Sequence, residues 1–176
     1  MNEKTAGKRV DEMTRKRVEL IHTVVVAVSG SEASINAARF GIAMARLYGV
    51  RLIGVYVIDT ATLRELLLSR IFVEDESSEY EKSLEENGNR YLNYVEELAR
   101  QKEVGMEKVL RRGAISTEIV EASEDLGADL ILLGGFDEKA GVRDVLSRQH
   151  REILRSAKCS VLVVKEPKID LLFGRI

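Results

Sequence analysis

The chain has 176 residues, 45% of them hydrophobic and 32% charged, with a formal net charge of −2. That suits one globular domain with a full core and excludes a global pull toward nucleic acid or an anionic membrane. A single cysteine excludes an intramolecular disulfide framework, and no run approaches the roughly 20 apolar residues that span a bilayer, so the cytoplasm is the expected location.

Residues 1–21 carry Lys4, Lys8, Arg9, Arg15, Lys16 and Arg17 against Glu3, Asp11, Glu12 and Glu19. This stretch lacks the apolar core of a signal peptide and reads as a solvated extension or a partner-binding arm. Thr23–Val28 is a β-branched run, as expected of a strand buried on both faces. Ser29-Gly30-Ser31 is a turn. Glu32–Tyr48 has helical apolar spacing and ends at Gly49. Arg51–Ile58 reads as the second strand and Ala61–Phe72 as a short helix. Val73–Glu86 holds seven acidic residues and one Lys, and reads as an exposed loop or helix start. Glu79–Lys102 is helical by the spacing of Tyr80, Leu84, Tyr91, Val95 and Leu98, with Asn87-Gly88 as a potential break. Met106–Leu110, Asp129–Leu133 and Ser160–Val164 complete the strands; Thr117–Leu126 and Val145–Ser156 complete the helices.

Strands alternating with helices predict an α/β fold: one doubly wound, five-stranded parallel sheet of order 3-2-1-4-5 with helices on both faces. The winding then reverses between strands 1 and 4. That order places a ligand crevice against Ser29–Ser31 and Gly134–Gly141, beside Val57 and Asp59 at the end of strand 2.

The motifs narrow the chemistry. There is no GxGxxG and no GxxxxGK[ST], so the common dinucleotide and P-loop fingerprints are missing. Gly134-Gly135 suits close approach of the backbone to a ligand, and equally an ordinary turn. Lys139, Arg143, Arg148, Arg151, Arg155 and Lys158 outnumber Asp144 and Glu152, giving a basic rim that would attract an anion or form a solvated helix face. The only histidines, His22 and His150, lack companions at metal-ligand spacing, and no hydrolytic triad is evident. Cys159, directly before a strand, reads as a buried apolar residue. No catalytic or metal-binding residue is assigned.

The segments TVVVAVSGSEAS, GVRLIGVYVID, RRGAISTEIVEASEDLGADLILLGG and KCSVLVVK occur in this order. Together they resemble a universal stress protein domain over about residues 22–166, leaving 1–21 as a charged extension and 167–176 as a tail. The resemblance implies the parallel sheet derived above and a homodimer pairing through the last strand, here Val161–Val164. ATP-binding members carry Gly-x2-Gly-x9-Gly-Ser/Thr after strand 4 and an Asp at the end of strand 1. On this chain the motif falls on Gly134, Asp137, Ser147 and Arg148, and the strand 1 Asp on Ser29. Val57 resembles the adenine contact. The candidate nucleotide pocket is therefore Ser29, Gly30, Val57, Gly134, Asp137, Ser147, Arg148 and Gln149.

These departures bear on the phosphates. A carboxylate at Asp137 would repel them by about 1–4 kcal/mol in a half-buried crevice. Asp137 and Arg148 are expected to face one another and fill the phosphate subsite. The reading that follows is a dimeric regulatory module that binds ATP weakly or not at all, needs no cofactor and acts on an unidentified protein partner. The alternatives are a sensor that binds ATP with magnesium and reuses Arg148 for phosphate, and a slow ATPase. The apolar tail residues Leu171, Leu172 and Phe173 would pack across the dimer or mark a junction with a longer protein.

Overall fold

A computed structural model describes residues 20–69, 74–135, 147–165 and 168–176. The strands are β1 (Thr23–Ala27), β2 (Arg51–Asp59), β3 (Met106–Gly113), β4 (Leu130–Gly134) and β5 (Ser160–Val164). The helices are α1 (Glu32–Tyr48), α2 (Thr60–Leu68), α3 (Glu74–Arg100), α4 (Ile115–Asp125), α5 (Arg148–Ser156) and α6 (Ile169–Arg175). All strand pairs are parallel, in the order β3-β2-β1-β4-β5. This is the order expected from the sequence.

The centre of β1, Val24–Val26, is continuously apolar because both faces of the central strand are covered. Val24 and Val26 enter one core with Leu52, Leu130 and Leu132, closed by Ala38 and Ile42 of α1 and Leu92, Val95 and Ala99 of α3. Val25 enters the opposite core with Ile53, Val55, Ile131 and Leu133, closed by Ile119 and Val120 of α4 and Ile153 of α5. The alternation is the period of two that a strand imposes on its side chains.

Two alternatives left open by the sequence are decided, and one strand is longer than expected. The acidic run is a helix start, because α3 begins at Glu74 and continues unbroken to Arg100. Gly88 does not interrupt it. A Cβ there would lie 2.5 Å from the Tyr56 ring, so this glycine is a notch for an aromatic side chain of β2. β3 runs three residues beyond Leu110. Arg111 and Arg112 continue this half-exposed edge strand, paired with Asp125 of α4 and with Glu85 of α3.

The tail forms α6 against α1. Ile169 is buried, Phe173 packs into the α1 core, and Arg39 bonds Asp170 at 3.0 Å. Lys102 Nζ sits 4.8 Å from the Phe173 ring centre and donates to the Ile176 carbonyl at 3.0 Å. Leu171 remains exposed. Cys159 is only partly buried, against the second core. Among the described residues no helix is long and apolar enough to cross a membrane.

Candidate functional site

The carboxyl ends of β1, β2 and β4 open into a cavity of about 410 Å³. Its walls are mainly apolar: Val28, Tyr56, Val57, Ile119, Leu133 and Ile153 all contribute, with Leu84 of α3 closing one side. Its polar groups are Ser29, Ser31, Ser34, Asp59, Ser147, Gln149 and His150, with the Gly134-Gly135 backbone. A cleft of this size, apolar with a few converging polar groups, is the usual form of a small-molecule site. No Lys or Arg is among the described lining residues.

Two of the helix N-termini at this cavity, those of α1 and α5, are capped by the chain's own serines, whereas α4, whose first residue Ile115 also lines it, has no side-chain cap. At α1, Ser31 Oγ accepts from the Ser34 amide at 3.2 Å, and Ser34 Oγ donates to the Ser31 carbonyl at 2.9 Å. Ser29 Oγ lies 3.0 Å from Ser31 Oγ. At α5, Ser147 Oγ accepts from the His150 amide at 3.2 Å. A helix N-terminus binds phosphate through its unpaired amides. Here one amide on α1 and one on α5 are already occupied.

Two glycines shape the floor. Gly134 would place a Cβ 2.5 Å from the Ala33 carbonyl carbon and 2.6 Å from the Ser34 amide nitrogen, so β4 and the start of α1 meet backbone to backbone. Gly30 has φ +81°, and a Cβ there would lie 2.3 Å from the Tyr91 ring. Tyr91 in turn stacks beside Tyr56 with centroids 6.4 Å apart.

Of the eight candidate residues, Ser29, Val57, Gly134, Ser147 and Gln149 line the cavity. Gly30 does not line it, and it supports the site from behind through Tyr91. Asp137, Lys139 and Arg143 lie outside the described residues. Arg148 is not among the lining residues, in contrast to the expected plug. Its side chain is 84% exposed, with Nε 3.1 Å from Glu152 one turn along α5. Glu152 also accepts from Ser116 Oγ at 2.6 Å. The Ser116 hydroxyl first, and then Arg148, hold its carboxyl below the usual range. Lys158 of the basic rim is likewise paired, with Glu124 at 2.8 Å. Asp59 lines the cavity but is committed as the cap of α2. It accepts from the Thr62 amide at 3.0 Å and from the Thr62 hydroxyl at 2.7 Å.

His150 and Tyr56 are lining residues that sequence reasoning did not assign to the site. The position of His150, three residues after the capping Ser147, is the signal that turns it toward the crevice. Burial pushes its imidazole pKa below the ordinary value. Nδ1 is enclosed and has no hydrogen-bond partner among the described residues. No group of three or more His, Cys, Asp or Glu among the described residues is arranged to hold a metal ion.

A doubly wound parallel sheet with a ligand-sized crevice at its switch point defines a Rossmann-like α/β protein. Within that class, the chain belongs to the universal stress protein family, whose model matches residues 21–165. Universal stress protein MJ0531 of Methanocaldococcus jannaschii is 28% identical over 159 residues, covering 90% of this chain and 91% of that protein. A universal stress family protein from Burkholderia pseudomallei superposes with a TM-score of 0.65 at 21% identity, over 84% of this chain and 98% of its own. The Archaeoglobus fulgidus universal stress protein in complex with dAMP gives 0.57 at 19% identity, over 84% and 100%. These two structures share the fold.

Proposed function

We propose that this protein is a non-enzymatic regulatory module whose crevice accepts the adenosine end of a nucleotide but binds ATP weakly or not at all. The observation that carries this reading is the Ser147 cap. Where a glycine would leave the first amides of α5 open, the Ser147 hydroxyl takes the His150 amide. The lining also lacks a described cation, and Arg148 sits on Glu152. Crevices of this fold do admit an adenine nucleotide, as the dAMP complex of the Archaeoglobus fulgidus protein illustrates. The regulatory reading is supported by Asp59, the one described carboxylate at the cavity, which is bound to Thr62 and has no basic partner among the described lining residues to activate it. In this account the protein works in the cytoplasm as a homodimer through the Val161–Val164 edge, where Leu162 is exposed, and needs no metal or cofactor.

The test is calorimetric titration of ATP with magnesium into the wild type and into the triple variant Asp137→Gly, Ser147→Gly, Arg148→Ser. Opening one amide to a phosphate oxygen adds a charge-assisted hydrogen bond of about 1.5–3 kcal/mol, so the variant should bind at least about tenfold tighter. Equal affinity in the two proteins refutes the reading. A second reading rests on the exposure of the Arg148–Glu152 pair, since such pairs are weak enough to exchange. Tight ATP binding by the wild type, lost in Arg148→Ser alone, would establish an ATP sensor that reuses Arg148.

A further inference from the structure

The lining of the cavity carries more information than its failure to suit phosphates. Its described polar atoms are almost all neutral: three serine hydroxyls near β1, the Ser147 hydroxyl, the Gln149 amide and the His150 imidazole. Its single carboxylate, Asp59, is turned to Thr62. An anionic ligand would meet no described cation here, so the cost of removing its water would fall on neutral donors alone. An uncharged ligand with a flat apolar part and a few hydroxyls would lose little.

His150 is the polar group on which selection turns. Nδ1 is enclosed without an acceptor among the described residues, so a proton there would be a buried, unpaired donor. The neutral tautomer with its proton on Nε2 replaces that buried donor by an unpaired Nδ1 lone pair and leaves the N–H on the other ring nitrogen. Nε2–H is then the edge the ring can offer to the cavity it lines. The backbone that carries the ring is anchored on two sides, with the His150 amide tied to Ser147 and Ile153, one turn further on, buried in the core.

We propose that the crevice selects an uncharged purine nucleoside over its phosphorylated forms, and that the His150 Nε2–H donates a hydrogen bond to it. This rests on the adenosine-end reading above and adds its charge state and the residue that reads it. Nucleosides fit because they pair an aromatic base, suited to the Tyr56, Val57 and Leu133 walls, with hydroxyl and ring-nitrogen acceptors.

The experiment uses the full chain with adenosine, AMP and ATP as probes. Calorimetry on the wild type should give adenosine the highest affinity, with AMP at least about tenfold weaker. His150→Phe, which keeps a flat ring but no donor, should lose about tenfold for adenosine, and His150→Gln, which keeps an N–H, should recover most of it. The chain has only two histidines, so imidazole NMR reads both at once. Adenosine should move the His150 signals and leave those of His22, just before β1 at the opposite end of the sheet, in place. The NMR readout on the wild type does not depend on how the variants fold. Adenosine binding with unmoved His150 signals overturns the role of His150 alone. ATP binding tighter than adenosine overturns the selection of an uncharged ligand. If none of the three binds, the adenosine-end reading falls, and this inference with it.

Discussion

Gly134→Ala is the substitution that most directly probes the junction on which the crevice is built. The added methyl would sit 2.5 Å from the Ala33 carbonyl carbon and 2.6 Å from both the Ala33 oxygen and the Ser34 nitrogen. These are backbone atoms at the start of α1 and cannot rotate away. The strand side is equally constrained, with Leu132 and Leu133 buried and Gly134 in register with Val164. Normal separation requires α1 and β4 to part by about 1 Å, and overpacking of this kind costs about 1–3 kcal/mol. For a chain of this size that lowers Tm by about 2–12 °C. Gly105→Ala is the control, because a Cβ there meets nothing within 4 Å and should leave Tm unchanged. Thermal unfolding followed by circular dichroism measures both. A Gly134→Ala melting curve that coincides with that of Gly105→Ala would refute the close-packed junction. The displaced Ser31–Ser34 segment should also weaken any ligand bound in the crevice.

Three further predictions follow from the same geometry. The Asp129 carboxylate accepts the His22 amide at 2.8 Å and the Thr23 amide at 2.9 Å, and these bonds hold its pKa below the ordinary value. The unfolded chain therefore binds more protons than the folded one just below the usual aspartate pKa of about 3.9. Its stabilisation is present above that pH and is lost as pH falls through the folded pKa; melts across the acid range should show a flatter acid limb in Asp129→Asn. Phe173→Ala should cost about 1–2 kcal/mol, part of the value for a fully buried ring, whereas exposed Leu171→Ala should be neutral by denaturant titration. Leu162→Lys, which places a charge on the β5 edge, should convert a dimer to a monomer in analytical ultracentrifugation with Tm little changed.

What the sequence discloses depends on whether a residue answers to its neighbours in the chain or to a distant one. β1 is legible because burial on both faces leaves a continuous β-branched run, and strand order follows from the alternation of elements. Gly88 is not legible, because its reason is the Tyr56 ring on another element. The end of β3 is hidden because Arg111 and Arg112 break the apolar pattern, and their partners lie on α4 and α3. At the site, the crevice walls at Ser29, Val57 and Gly134 follow from topology. The direction of Arg148 does not, since a carboxylate at Glu152, four residues on, competes with anything in the crevice. His150 escapes notice because its meaning comes from an enclosed Nδ1, a property of packing.

The most direct measurement is native mass spectrometry of gently purified protein, before and after incubation with millimolar ATP and magnesium, followed by denaturation and identification of any released small molecule. The account predicts a dimer that releases no ATP and stays free of it after incubation. A dimer that carries ATP in stoichiometric amount would contradict the capped phosphate end and make Arg148 the first residue to re-examine.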